Sequence, residues 1–147
     1  MKIAQVAPLA ESVPPKLYGG TERVVSWLTE ELVRKGHEVT VFASGDSRTS
    51  GKLVSVTDRA LRLNPLVKDT LGYHMMLLED VRRRAHAFDI IHFHVELIQA
   101  PLARHLGIPS LTTLHGRLDL PDLVPFYRTF PDLPLVSISD AQRLPLP

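Results

Sequence analysis

The sequence contains no cysteine, which excludes disulfide bonds and thiolate metal sites. It also has no apolar run near the roughly 18 residues that a membrane-spanning helix needs, and its first apolar segment is too short and interrupted for a signal peptide. Its 17 basic and 16 acidic side chains give a net charge of +1, so no electrostatic argument favours nucleic acid or an anionic membrane as the main partner. We therefore expect a soluble, cytoplasmic protein.

Two nucleotide-binding fingerprints are absent as well. Neither G-x-G-x-x-G nor G-x-x-x-x-G-K-[ST] occurs in the sequence, so no motif supports an NAD-binding domain or a P-loop ATPase. What the chain does have is a globular composition, with 147 residues of which 44% are apolar and 22% are charged. This length and composition fit one domain with a substantial core, over residues 1–147.

Short apolar or β-branched segments recur along the chain and predict strands that are covered on both faces. They lie at residues 3–7, 39–43, 53–56, 90–93, 110–114 and 135–138, and helical patterns lie at residues 21–35, 69–87 and 96–106. This alternation predicts a Rossmann-like α/β fold, with an open, mostly parallel sheet and helices on both faces. Ligands of such sheets bind beyond the carboxyl ends of the strands, in the loops that follow residues 7, 93, 114 and 138.

The predicted helices carry signals of where they end and which side they bury. In the first helix, Thr21 is placed as an N-cap and Gly36 as the C′ residue. The third helix is expected to hold Pro101 in or near its first turns. In the second helix, one side collects the apolar residues that we expect to be buried: Leu71, Met75, Leu78, Val81 and Ala85.

The connection at residues 8–20 is long for a strand-to-helix loop, and long ordered loops are often functional. It ends on Gly19 and Gly20, directly before the first predicted helix. Two glycines allow the backbone to approach a ligand closely, and the free amides of a helix start favour a phosphate. The alternative interpretation is that the glycines only turn the chain into the helix.

Histidines follow two of the predicted strands. His115 comes after residues 111–114, where an imidazole can donate to a sugar hydroxyl or a phosphate oxygen, and Arg117 could contact a phosphorylated acceptor or remain solvated. His92 and His94 lie on one face of another strand. They would bind zinc only if a third ligand converged, so we expect no metal. Packing and backbone hydrogen bonds are the structural interpretation of this pair.

Two other polar groups have simpler interpretations. Ser139 and Asp140, with Ser137 just before them, could bind a ligand or cap a following helix, and capping is the preferred interpretation. Residues 82–84 form a run of three arginines, which is typical of a solvated helix face. Peripheral contact with anionic lipid is a second interpretation of this run, although it normally requires more charge.

Several motifs together resemble the amino-terminal domain of glycosyltransferase family 4. They are YGGTERVV at residues 18–25, RKGHEVTVFA at 34–43, FDIIHFH at 88–94, TTLHG at 112–116 and VSISDAQR at 136–143. The resemblance covers essentially the whole chain. It implies the GT-B arrangement, in which two Rossmann-like domains face each other, with the acceptor mainly on the first and the nucleotide-sugar donor mainly on the second.

The resemblance also implies roles for particular residues. Gly19 and Gly20, with Thr21 beside them, would lie against the donor diphosphate or the transferred sugar, and His115 would be the catalytic residue near the reacting centre. His94 would contact the acceptor at the cleft edge, with packing as the alternative, and Arg117 completes the candidate substrate contacts. Enzymes of this type generally need no bound metal, so no cofactor is expected besides the donor substrate.

The leading hypothesis is therefore the amino-terminal domain of a retaining glycosyltransferase of the hexosyltransferase type. The sugar would pass from a nucleotide diphosphate sugar to a hydroxyl acceptor. The chain stops at Pro147, so the donor-binding domain is expected outside it, and the chain alone is expected to be inactive. Two alternatives are a non-catalytic acceptor-binding subunit that works with a partner chain, and an unrelated α/β nucleotide-binding module such as an epimerase or a regulatory domain.

Overall fold

The computed structural model describes residues 1–147, and their strands form one open sheet of six. The strands are β1 (Lys2–Val6), β2 (Glu38–Phe42), β3 (Lys52–Val54), β4 (Ile90–Phe93), β5 (Ser110–Leu114) and β6 (Leu135–Ser137). Their order is β3-β2-β1-β4-β5-β6, and every pairing is parallel. The chain runs outward from β1 to β3 and then returns to the other side of β1. The strand order therefore reverses between β1 and β4, which is where open parallel sheets bind their ligands.

Helices connect the strands on both sides of the sheet. They are α1 (Gly20–Arg34), α2 (Leu71–Arg84), α3 (Ala100–Ala103), α4 (Leu123–Thr129) and α5 (Asp140–Arg143), and a 3₁₀ turn (Ala85–Ala87) extends α2. None of these helices has the length and apolar character needed to cross a membrane.

The core has two main layers because side chains alternate along each strand. On β2, Val39 and Val41 belong to the cluster that contains Val25 of α1. Phe42 belongs to the other cluster, which contains Leu78 and Val81 of α2. Both faces of the sheet are thus covered by helices, and the predicted Rossmann-like α/β fold is confirmed.

The observed strands agree with the prediction to within two residues at every end. The third predicted helix is wrong, because residues 96–106 contain only the four helical residues of α3. Glu96 has a φ of 61°, in the left-handed region, which is incompatible with a right-handed helix. Residues 95–99 therefore turn, and α3 begins only afterwards, with Pro101 in its first turn as expected.

Two other details of the helices also differ from the prediction. Thr21 does not cap α1: the helix begins at Gly20, Gly19 is the N-cap, and no side chain caps the first turn. Leu71 and Met75 are exposed on α2, whose buried residues are Leu77, Leu78 and Val81. By contrast, Gly36 has the positive φ expected of a C′ residue, at 85°. The short helix α4 was not predicted.

The loop between β1 and α1, residues 7–19, is held by backbone hydrogen bonds to two other loops. Leu9 and Ala10 accept from the amides of Leu61 and Arg62, and Val13 accepts from the amide of Arg48. The loop ends at Gly19, whose φ of 139° strongly disfavours a side chain. A Cβ at Gly19 would also lie only 2.7 Å from Cβ of Pro15, whereas a Cβ at Gly20 would meet no atom within 4 Å.

This difference between neighbouring glycines gives a stability prediction. Gly19→Ala should lower the free energy of unfolding by about 1–3 kcal/mol, because it adds backbone strain and a steric clash. Gly20→Ala is the matched control and should cause no loss, with a gain of up to about 1 kcal/mol from better helix propensity. Urea unfolding followed by circular dichroism measures both changes. Equal free energies of unfolding in the two variants would contradict the positive φ of Gly19 and its close contact with Pro15.

Polar side chains are buried where the strand order reverses. Gln5 of β1 and His94, which follows β4, are each only 1% exposed, and His94 Nε2 lies 2.8 Å from Gln5 Oε1. The ring of His92 lies against that of His94, with 4.1 Å between centroids. Burial lowers the pKa of His94 to about 2 and the pKa of His92 to about 4. Both rings are therefore neutral in the folded protein at neutral pH.

The two neutral histidines should make stability depend on pH. Below a pH of about 6.5 the unfolded chain binds protons on these rings that the folded protein does not, so the free energy of unfolding falls as the pH falls. Each ring contributes a slope of at most about 1.4 kcal/mol per pH unit. His94→Asn should reduce the slope between pH 6.5 and 5 by up to that amount. His105→Asn is the control, because His105 is exposed. If the free energy of unfolding depended on pH equally in the two variants, burial would not suppress protonation of His94.

Candidate functional site

A cleft of about 530 Å³ lies beside the start of α1, at the carboxyl ends of β1, β5 and β6. Four predicted site residues lie together in its wall, namely Gly19, Gly20, Thr21 and His115. We call this space the glycine cleft. The rest of its lining is Pro8, Ala10, Tyr18, Glu22, Val24, Arg62 and Ile138.

A second space of about 330 Å³, here called the side cavity, adjoins the glycine cleft and shares Pro8 and Thr21 with it. His94 lines this side cavity, together with Glu96 and His74. The two spaces therefore follow the carboxyl edge of the sheet on either side of Thr21. Every predicted site residue except Arg117 contributes to one of them.

The backbone amides at the start of α1 are available to a ligand. The amides of Gly20 and Thr21 have no hydrogen-bond partner within the chain, and the side chain of the N-cap residue makes no capping bond. The amide of Glu22 lies against the carboxyl group of the same residue. Gly20 is exposed and leaves open space where a side chain would stand. Free amides at the positive end of a 15-residue helix favour an anion in the adjoining cleft.

Two charged residues of the cleft wall, Glu22 and Arg62, were not predicted as site residues. Glu22 is 3% exposed, and burial raises the pKa of its carboxyl group. Arg62 comes from the loop after β3, forms an ion pair with Glu11 at 2.7 Å, and stacks on the Tyr18 ring at 4.9 Å. Glu22 lies within a matched motif and could have been chosen from it. Arg62 carries no sequence signal, because the fold brings it to the cleft from a distant loop.

His115 is held in place from several directions. Its Nε2 lies 2.8 Å from Nδ1 of His94. The backbone amides of His115 and Gly116 both donate to Oε1 of Glu96, at 2.9 Å each. Gln142 donates through Nε2 to the carbonyl oxygens of Leu114 and Gly116, at 2.9 and 2.8 Å. Burial lowers the pKa of His115, so a neutral imidazole faces the glycine cleft at neutral pH.

The supporting residues Glu96 and Gln142 were not singled out from the sequence. Glu96 reaches the amides of the His115 loop from a backbone position with a φ of 61°. A non-glycine residue in this conformation is uncommon and tends to occur at functional sites. Single residues of this kind lack a sequence motif, so only the folded arrangement identifies them.

The remaining candidates lie outside the cleft or have structural partners. Arg117 pairs with Asp119 at 2.8 Å, and its side chain is 72% exposed. His92 Nε2 lies 2.7 Å from Oγ1 of Thr113. Residues 1–147 contain no cluster of three or more histidine, cysteine, aspartate or glutamate side chains that could hold a metal ion. Ser139 caps α5 by accepting from the amide of Gln142, which confirms the capping interpretation. The arginines at 82–84 form ion pairs with Glu79 and Asp80.

Two solved structures are similar to this chain. AviGT4, a glycosyltransferase involved in avilamycin A biosynthesis, is 25% identical with a TM-score of 0.51, over 78% of this chain and 32% of AviGT4. MurG of Acinetobacter baumannii is 13% identical with a TM-score of 0.56, over 94% of this chain and 41% of MurG, and its likeness supports the fold alone. This chain thus spans less than half the length of either protein.

The sequence itself supplies the assignment to a family. A comparison with curated proteins found no match. The sequence model of Glycosyltransferase Family 4, however, matches residues 18–139, which include both the glycine pair at the start of α1 and the loop of His115. The match therefore contains most of the glycine cleft as well as most of the sheet. On this ground the chain belongs to Glycosyltransferase Family 4.

Proposed function

We propose that this chain is the amino-terminal, acceptor-side domain of a retaining glycosyltransferase of the hexosyltransferase type. It would act on a nucleotide diphosphate sugar and transfer the sugar to a hydroxyl acceptor. The observation that carries this proposal is the meeting of the free first-turn amides of α1 with His115 in one cleft. Membership of the family sets aside the alternative of an unrelated nucleotide-binding module.

The amides would act on the leaving group. When the bond to the sugar breaks, negative charge accumulates on the departing diphosphate, and fixed dipoles aimed at that charge lower the barrier. The amides of Gly20 and Thr21 need no rearrangement for this, because α1 holds their orientation and no protein group occupies them. Gly20 keeps the approach open, since it places no side chain in front of these amides.

The sugar and the acceptor would lie toward the histidines. His115 reaches the glycine cleft with a neutral imidazole, which can form a hydrogen bond to a sugar hydroxyl without adding charge. The side cavity, lined by His94 and His74, is the proposed acceptor space next to it. Arg117 remains a predicted contact for a phosphorylated acceptor, and its pair with Asp119 would have to open for that role.

The chain offers little positive charge to balance a diphosphate. Arg62 is the only cationic side chain of the cleft lining, and Glu11 already pairs with it. We therefore propose that further cationic groups, and most of the donor site, belong to a second domain that faces this cleft. We propose no resident metal or other cofactor.

Gly20→Leu tests the proposed donor site in a polypeptide that carries this domain together with a donor-binding domain. The leucine side chain should fill the cleft in front of the amides and reduce the transfer rate by about 100-fold or more. Gly72→Leu is the matched control, because Gly72 also lies in the first turn of a helix with free space and lines neither cavity. Circular dichroism should show both variants folded. A transfer rate within threefold of the unmodified protein would mean that Gly19 and Gly20 only form a turn.

Activity of the 147-residue chain by itself tests the division into two domains. The isolated chain should transfer no detectable radiolabelled sugar from a panel of nucleoside diphosphate sugars, because one wall of the cleft cannot surround the diphosphate. Adding a separate donor-binding domain should restore transfer if the two parts associate. Turnover by the isolated chain would disprove the division. A stable complex that never transfers sugar would favour the non-catalytic subunit.

A further inference from the structure

A line of three side chains runs from the interior of the sheet to the glycine cleft. Gln5 lies in β1, His94 follows β4, and His115 follows β5. Oε1 of Gln5 is 2.8 Å from Nε2 of His94, and Nδ1 of His94 is 2.8 Å from Nε2 of His115. Gln5 and His94 are each 1% exposed, so water does not compete for the ring nitrogens of His94. Nδ1 of His115 has no hydrogen-bond partner within the chain.

With Oε1 of Gln5 facing His94, the bonding rules of these groups give a direction to both hydrogen bonds in the line. An amide oxygen only accepts, so His94 must carry its proton on Nε2 and donate to Gln5. A neutral imidazole has one proton, so Nδ1 of His94 must accept, and the donor is Nε2–H of His115. His94 is neutral because burial keeps its pKa at about 2. The proton of neutral His115 is then on Nε2, and its Nδ1 carries a lone pair.

We propose that Gln5 and His94 are positioning residues that hold His115 as the Nε2–H tautomer, so that its Nδ1 accepts a hydrogen bond from a substrate hydroxyl. An acceptor nitrogen cannot bind a phosphate oxygen that carries no proton. His115 therefore recognises the sugar or acceptor hydroxyls, and the phosphates are left to the amides of α1. This assignment of substrate groups rests on the proposed function, whereas the tautomer does not.

Two neighbouring residues, His92 and Glu96, restrain the histidines of the line. The ring of His92 packs against His94 at 4.1 Å between centroids, which restrains the middle member. Glu96 holds the backbone amide of His115 at 2.9 Å, which restrains the end member. Because both rings are held in this way, the loss of the Gln5 acceptor should change where the protons sit more than where the rings lie.

Nuclear magnetic resonance of ¹⁵N-histidine-labelled chain at pH 7.5 reads the tautomer directly, because protonated and unprotonated ring nitrogens differ in shift. His115→Asn identifies the His115 signals among the seven histidines. The unmodified chain should show His115 with its proton on Nε2. Gln5→Leu should produce a mixture with Nδ1–H, whereas Gln5→Glu should keep Nε2–H because the carboxylate still accepts. Thr29→Val removes a buried hydroxyl group that makes no hydrogen bond to the line, and it should leave the tautomer unchanged.

The unmodified protein alone can overturn the proposal. His115 with its proton on Nδ1 would mean that the line runs in the reverse direction, whether or not any variant folds. An unchanged His115 tautomer in folded Gln5→Leu would show that Gln5 does not set it.

Transfer assays with a donor-binding domain present add a separate measurement. Gln5→Leu should lower kcat/KM about tenfold, and Gln5→Glu should restore most of it. An Nε2–H tautomer without any transferase activity would support the positioning role and reject the proposed function, so the two failures are distinguishable.

Discussion

His94 is buried between the ends of three neighbouring strands, and both nitrogens of its ring must be satisfied by protein groups because water cannot reach them. Gln5 satisfies one nitrogen and His115 the other. An unpaired buried nitrogen would cost about 1–3 kcal/mol, so the three residues constrain one another strongly. This requirement ties β1, β4 and β5 together at the point where the strand order reverses. It also fixes the ring that faces the cleft.

The glycine cleft combines two kinds of hydrogen-bonding group, and in the proposed function each would bind a different part of the nucleotide sugar. The start of α1 presents donors, namely the free amides of Gly20 and Thr21. The end of β5 presents His115, whose available nitrogen is an acceptor in the proposed arrangement. Donors match the oxygens of a diphosphate and an acceptor matches a hydroxyl, so the chemistry of the cleft as well as its shape would orient the proposed donor substrate.

The sequence predicted the strands well because apolar runs that are covered on both faces leave little ambiguity about their state. The helices were less certain. The helical pattern of residues 96–106 contained no sign that Glu96 would adopt a positive φ. In this conformation the Glu96 side chain accepts from the amides of the His115 loop, a contact that the sequence does not reveal. Gly19, Gly20 and His115 were identifiable because each lies in a motif at a strand end or a helix start. Arg62 was not, because only the folding of a distant loop brings it to the cleft.

The charges of the cleft wall support the proposal that this chain would supply only part of a donor site. Arg62 is paired with Glu11, and the nearby carboxyl group of Glu22 offers no positive charge. The free amides carry the equivalent of only about half an elementary charge, whereas a departing nucleoside diphosphate bears several. Tyr18 and Ile138 are also largely exposed at the rim of the same cleft, where a facing surface would cover them. The proposed second domain would account for both features if it brought cationic groups to this cleft and covered its apolar rim.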